Sequence, residues 1–255
     1  MKVYFIGAGP GAADLITIRG ARHLQEAGLV LYAGSLVPEA ILEHCAKDAE
    51  IINTASLNLE EQMEHYLRAR QKNIDVARVH SGDPAIYGAT SEQIVALNKE
   101  GIEWEIVPGV SSFSAAAAEI GAELTKPTVS QTIILTRVSG RASAVPELES
   151  IPLLASHRAT LCIFLSGPHL KKIVQDLLIH YPPETPVALV YRATWPDQRT
   201  HRSTLATILD EVDIEDWKLT TMMLVGAVLD DTISVASKLY SADYTHKFRK
   251  AKVTT

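Results

Sequence analysis

The sequence predicts an α/β protein made of two α/β domains. Short β-branched runs alternate with helical periodicities through the first half, as parallel β-α-β units require. The spacing of strand signals changes near residue 120, and a chain of 255 residues is long enough for two modest domains. The composition, 47% hydrophobic and 21% charged, is that of a globular chain and excludes collagen-like, low-complexity and disulfide-scaffold classes. No apolar run approaches the ~20 residues that span a bilayer, and the opening 1–6 is too short and wrongly flanked for a signal peptide, so a soluble, cytoplasmic protein without membrane partners is expected. Only Cys45 and Cys162 are present, which fits a reducing compartment. A net charge of −6 argues against whole-surface attraction to nucleic acid.

The first expected strand, 3–7, is followed by a helix over 17–27 with Ile18, Ala21 and Leu24 on one face, and Gly28 stands where a positive-φ cap would end it. A second strand is expected at 29–32. Asn58 with Glu61, and Thr90 with Gln93, have the spacing of capping boxes ahead of two further helices. Strands at 76–79 and 104–107 lie around the second of these. Residues 111–121, with four consecutive alanines, read as a tightly packed helix capped by Gly121. Beyond it, strands are expected at 131–136, 161–164, 187–191 and 222–228, with one long helix at 168–179. The Ser-, Pro-, Arg- and Asp-rich segments 139–152 and 194–202 read as long loops. This gives an N-terminal domain over 1–118, a C-terminal domain over 122–236 and a polar basic tail over 237–255.

Three loops follow first-half strands. Gly7, Gly9 and Ala12 satisfy G-x-G-x-x-A, a dinucleotide signature. However, Pro10 removes an N–H from the loop, and 29–35 contains no acidic residue to hold a ribose. A tight strand exit and a nucleoside-type ligand without phosphates remain as readings. The second loop is Ser81-Gly82-Asp83-Pro84, with Ile86, Tyr87 and Gly88 behind it. Its carboxylate can bind hydroxyls, or it can cap an Asp-Pro turn. The third is Pro108-Gly109-Val110-Ser111-Ser112, a helix start by itself. In a parallel sheet all three would share the carboxyl edge, where ligands bind.

Gly7-Ala8-Gly9-Pro10-Gly11, Asp14-Leu15-Ile16-Thr17, Ser81-Gly82-Asp83-Pro84 and Val107-Pro108-Gly109-Val110-Ser111-Ser112 resemble the motifs of tetrapyrrole methylases. Tyr32-Ala33-Gly34-Ser35-Leu36-Val37, Leu135-Thr136-Arg137-Val138-Ser139-Gly140-Arg141 and Tyr191-Arg192-Ala193-Thr194-Trp195-Pro196 are most similar to members that methylate C-11 of precorrin-4 or cobalt-precorrin-4. The resemblance spans about residues 1–235. It implies an S-adenosylmethionine-dependent C-methyltransferase of cobalamin biosynthesis, with two α/β domains, the cofactor in the cleft between them, and a homodimer. Carried over by position, the cofactor contacts fall on Pro10, Ser81, Gly82, Asp83, Ile86, Ser111 and Ser112, and on Leu165, Ala193 and Thr221 in the second half. Many relatives carry Asp directly after Pro-Gly, where this chain has Ala12, so a general-base role there does not transfer and the catalytic base stays unknown.

A precorrin carries acetate and propionate side chains, and an acidic protein needs local cations to hold them. Arg192, Arg199, His201 and Arg202 cluster in one segment, and Arg137 and Arg141 in another. Their guanidinium groups suit bidentate carboxylate binding, while ordinary solvated charge is the plain alternative. Tyr87 and Trp195 are candidates to wall the macrocycle, although burial also explains such aromatics. The nine histidines show no ligand spacing, so no metal is expected. A methylase acting on another precorrin carbon or on RNA, and a non-catalytic nucleotide-binding regulator, are the other readings.

Overall fold

In the first strand, β1 (Lys2–Gly7), Val3, Phe5 and Ile6 are wholly buried, so the strand lies at the centre of a sheet rather than at its edge. The computed structural model describes residues 1–139, 144–218, 220–233, 235, 241 and 244–251. The chain divides into two compact units, Met1–Ala115 with Arg192–Gln198, and Ala116–Tyr191 with Arg199–Thr255. The first division falls inside helix α4 (Ser112–Glu119).

In the first unit β1 is followed by α1 (Ile18–Glu26), β2 (Leu29–Tyr32), β3 (Glu50–Asn53), α2 (Leu59–Lys72), β4 (Val76–His80), α3 (Thr90–Lys99) and β5 (Glu103–Val107). The five strands form one parallel sheet in the order β3-β2-β4-β1-β5. Alternation on the central strands supplies a core on each face. Ile6, Ala77, Val79 and Val107 pack with Leu24 and Ile41 on one side, and Phe5, Val76 and Leu29 with Tyr66 and Leu97 on the other. Each parallel crossover therefore has an apolar face to settle on.

Several sequence expectations are corrected here. The α1 helix is capped by the Thr17 side chain, but Ile18 is 82% exposed, and the buried face is Gly20 and Leu24. Gly28 is not a positive-φ cap. Its need for glycine is the neighbouring Ile74, whose Cβ would lie 3.3 Å from an added methyl. Asn58 and Glu61 do form a reciprocal capping box on α2. Thr90 and Gln93 do not: the N-cap of α3 is Ala89 in a left-handed conformation, and Gln93 is buried, with its side chain turned to other partners. Strand β3 carried no recognised signal because only alternate residues are partly covered on this edge strand.

The second unit contains β6 (Ile133–Arg137), α5 (Ile151–Ala155), β7 (Thr160–Phe164), α6 (Leu170–Leu177), β8 (Pro186–Tyr191), β9 (Arg199–Thr204), α7 (Ile208–Glu211) and β10 (Thr221–Val225). Its sheet runs β6-β7-β10-β8-β9, with only β6 and β7 parallel. Leu170, Ile173, Val174 and Leu177 on α6 fall at i, i+3, i+4 and i+7 and pack on Leu161, Ile163, Leu189 and Met223. The segment 139–152, expected as loop, includes a 3-10 turn at Glu147–Glu149 and the start of α5. The segment 194–202 contains the first residues of β9, whose polar edge-strand sequence has no apolar alternation. Residues 140–143 and most of the 237–255 tail lie outside the described residues. Among the described residues no helix is long and apolar enough to cross a membrane.

Candidate active site

Strands β4, β1 and β5 are adjacent and parallel, so the loops that leave their carboxyl ends meet on one edge of the first sheet. They meet backbone to backbone. A Cβ on Gly7 would lie 2.6 Å from both Gly109 Cα and the Gly82 carbonyl oxygen, and one on Gly109 would collide with that same oxygen. Gly9, at φ +83°, exchanges hydrogen bonds with Gly82, its N–H donating at 3.2 Å and its carbonyl accepting at 2.8 Å. Asp83 joins the second loop to the third: Oδ1 accepts from the Ala85 N–H at 2.8 Å, and Oδ2 from the Gly109 N–H at 3.1 Å. The glycines thus serve loop-to-loop contact, which removes the need to read them as a phosphate cradle.

This cluster gathers many of the residues singled out from the sequence. Ser111 is buried at the end of the third loop and its carbonyl starts α4, while Ser112 is the first residue of that helix. Ile86 closes a turn onto the Asp83 carbonyl, and the next residue, Tyr87, is 53% exposed at φ +55°. An exposed aromatic held in the left-handed region is costly and needs its surroundings to impose it. Ser81 is half-buried.

The segment Arg192–Gln198 also belongs to this unit. Trp195 Nε1 donates to the Pro10 carbonyl at 2.8 Å, and Thr194 Oγ1 accepts from the Ala12 N–H at 2.9 Å. Gly11 leaves space for the indole, which a Cβ there would strike. Arg192 stacks 3.9 Å from the Trp195 ring and pairs with Asp197 at 2.5 Å. Ala193 is buried between two left-handed residues, Arg192 and Thr194. No sign of this clasp is legible in the sequence, since the hydrogen-bonded partners lie 182 and 185 positions apart.

In the second unit, Leu165 (φ +55°) follows β7 and Thr221 opens the antiparallel neighbour β10, so the two lie at the same edge. Ser166 fastens them, its N–H and Oγ donating to the Thr221 carbonyl at 3.0 and 3.1 Å. Thr221 Oγ1 is buried without a hydrogen-bond partner. Arg199 is on β9, where its guanidinium donates to the Asp216 carbonyl and lies 4.7 Å from the Tyr191 ring. Arg202 donates to the carbonyls of Ile120 and Leu229, and His201 meets Glu211 at 2.9 Å. The arginines that are neighbours in sequence are therefore divided: Arg192 sits with the first unit, Arg199 and Arg202 with the second. Arg137 ends β6, and Arg141 lies outside the described residues.

The sequence profile described as Tetrapyrrole (Corrin/Porphyrin) Methylases matches residues 2–209. The chain belongs to this family. A precorrin-4 C(11)-methyltransferase of Pseudomonas aeruginosa is 51% identical over 98% of this chain and 99% of its own length. Among solved structures, one described as a cobalamin biosynthetic enzyme, cobalt precorrin-4 methyltransferase, superposes with a TM-score of 0.86 at 45% identity, covering 90% of this chain and 96% of that one. A uroporphyrin-III C-methyltransferase from Thermus thermophilus, complexed with S-adenosylhomocysteine, gives a TM-score of 0.73 at 27% identity over 90% of this chain and 99% of its own.

As a tetrapyrrole methylase the chain is an S-adenosylmethionine-dependent methyltransferase. The residues present fit such a donor. Each Asp83 oxygen accepts a single backbone bond and keeps capacity for a hydroxyl or ammonium group. Thr221 Oγ1 is an orphaned polar atom of the kind a ligand satisfies. Among the described residues no cluster of three or more His, Cys, Asp or Glu side chains could hold a metal.

Proposed function

We propose that the chain transfers a methyl group from S-adenosylmethionine to C-11 of precorrin-4 or its cobalt form, as a step of cobalamin biosynthesis. The observation that carries this is 51% identity to a precorrin-4 C(11)-methyltransferase along nearly the whole of both chains. Bound S-adenosylmethionine supplies a methyl already activated on a sulfonium, so the task of the protein is to orient and to exclude water. Asp83, Ser81, Gly82, Ile86, Ser111, Ser112 and Pro10 at the first sheet edge, with Ala193, are the residues proposed to hold the donor. Leu165 and Thr221, in the second unit, are proposed as further donor contacts on the family resemblance.

The carboxylates of the macrocycle fall to Arg192, Arg199, Arg137 and Arg141, with Tyr87 against the ring. Arg192 is already paired to a carboxylate, Asp197, and stacked on an indole. A substrate carboxylate would take the place of Asp197 on the same guanidinium face. The chain is further proposed to work as a homodimer in the cytoplasm, in keeping with its free cysteines and acidic balance.

The test is incubation with the methyl donor and precorrin-4, with and without cobalt, followed by mass and NMR assignment of the methylated carbon. Methylation elsewhere would overturn the C-11 assignment. Arg192→Ala is expected to raise the substrate KM while S-adenosylhomocysteine affinity stays near wild type, and unchanged kinetics would remove Arg192 from the substrate site.

A further inference from the structure

Beneath the Ser81–Gly88 loop lies a polar group that the methyl-transfer reading does not use. Arg78 on β4 is 6% exposed, with no carboxylate among its hydrogen-bond partners. Its Nε donates to Gln93 Oε1 at 3.2 Å, and NH1 donates to the carbonyls of Leu31 and Val79 at 3.5 and 3.3 Å. The hydroxyl of buried Tyr66 donates to the same Gln93 oxygen at 3.0 Å. Two donors on Oε1 fix the orientation of the carboxamide, so its nitrogen is turned to the other side. There Nε2 donates to the Ala89 carbonyl at 3.2 Å.

One strand turn away, His80 is also 6% exposed. Among the described residues its Nε2 has no hydrogen-bond partner. Burial and the Arg78 charge keep this imidazole neutral. The carbonyl of Ala89, at the end of the loop, is thus gripped by a buried side chain. Gly88 itself folds so tightly onto Pro84 that a Cβ would strike the Pro84 carbonyl. Tyr87 and Ala89, on either side of Gly88, both have positive φ, 55° and 49°. The sequence gives neither residue a local reason to be there, so the constraint comes from outside the loop.

We propose that Gln93, oriented by Arg78 and Tyr66, is a positioning residue that holds the 83–89 loop in its left-handed path and so keeps Asp83, Ile86 and Tyr87 in place for the methyl donor. The burial of an arginine that meets no carboxylate among the described residues then has a use. A glutamate in place of Gln93 would pair better with Arg78 but could not donate to Ala89. This inference rests on the reading of the loop as part of the donor site.

The experiment uses the full chain and two variants, Gln93→Glu and Gln93→Met, with three readouts: thermal unfolding, hydrogen exchange of amides 85–90, and calorimetric titration with S-adenosylhomocysteine. Arg78 beside it keeps the new carboxylate of Gln93→Glu ionised, so it accepts from Tyr66 and Arg78 and donates nothing. The variant is expected to unfold at or above the wild-type temperature, exchange faster at 85–90, and bind S-adenosylhomocysteine about three- to tenfold more weakly. Gln93→Met, which neither accepts nor donates, should act in the same direction on exchange and affinity while unfolding at a lower temperature. Wild-type exchange and affinity in Gln93→Glu would overturn the proposal, as would an affinity loss in either variant that merely follows the folded fraction. Faster exchange with unchanged affinity would leave the positioning role standing and remove the donor from this loop.

Discussion

In the first unit neighbouring strands β4, β1 and β5 all point the same way, and their three loops interlock through glycine backbones at one edge. In the second unit β7, β10, β8 and β9 alternate, so successive connections leave from opposite edges, and the residues of interest, Leu165 and Thr221, come from one strand's end and its neighbour's beginning. The first arrangement concentrates backbone donors and acceptors in one place at the cost of being intolerant to any added carbon. The second offers single side chains on rigid strands, tied by one serine. A dense crossing of loops is thus expected to be fragile to side-chain volume, and a strand pair to be fragile only to lost hydrogen bonds.

The largest effect of a single substitution is expected from Gly109→Ala, because its methyl would meet the Gly82 carbonyl, a backbone atom that cannot swing away. Stability to urea should fall by about 2 to 3 kcal/mol, with loss of S-adenosylhomocysteine binding. Gly121→Ala, whose Cβ meets nothing within 4 Å, should cost only about 1 kcal/mol for its positive φ. Equal costs at the two glycines would break the contrast between crossing loops and an open cap.

Acid is the next lever, and it acts on the first unit. His80 has its pKa pushed down from 6.5 to about 3 by burial and then by Arg78, with the Phe5 ring its other close neighbour. The unfolded chain therefore binds a proton that the folded chain refuses between these values. The stability that the neutral ring permits is complete above about pH 6.5 and is lost as pH falls toward about 3, by up to about 1.4 kcal/mol per pH unit. Urea midpoints measured from pH 7 to pH 4 should show a steeper acid limb in wild type than in His80→Asn. Parallel limbs would show that His80 titrates freely in the folded protein.

A smaller change is expected from Thr194→Val, which removes the acceptor of the Ala12 N–H and should cost about 1 kcal/mol. Ser166→Ala removes the Oγ bond to Thr221 in the second unit and should cost a similar amount. The two sharpen the comparison if Thr194→Val also weakens S-adenosylhomocysteine binding through the Pro10 loop. The smallest effect belongs to Lys172→Ala on the surface of α6, where an exposed i, i+4 pair with Asp176 contributes a few tenths of a kcal/mol. A change in thermal midpoint within error would agree with that.

The first sheet was largely legible because each strand carries its own signal. Strand β2 has the predicted bounds, and β1, β4 and β5 differ by one residue at an end, since the central parallel strands read as short apolar runs between polar helices and the 104–107 run on the edge strand β5 is set off by Gly101 and Pro108. The three glycine loops were legible for the same reason: Gly, Pro, Ser and Asp punctuate strand ends through local backbone preference. What misled was local grammar without its context. Thr90 and Gln93 have capping-box spacing, yet Gln93 turns toward Tyr66, Arg78 and Ala89, because two buried donors compete for its oxygen. The acidic edge strand β3 and the polar edge strand β9 gave no pattern to read, as one side of each faces solvent.

The sequence by itself determined the α/β class, the positions of the central strands and the existence of three loops with chemistry at their tips, because those follow from short-range burial patterns and backbone preferences. Only the tertiary structure decided the antiparallel pairing of the second sheet, the attachment of Trp195 and Thr194 to the Pro10 loop, and the burial of Arg78 under the 83–89 loop. Each of these joins residues far apart in the chain, and a hydrogen bond between positions 185 apart leaves no trace in the local pattern of either partner.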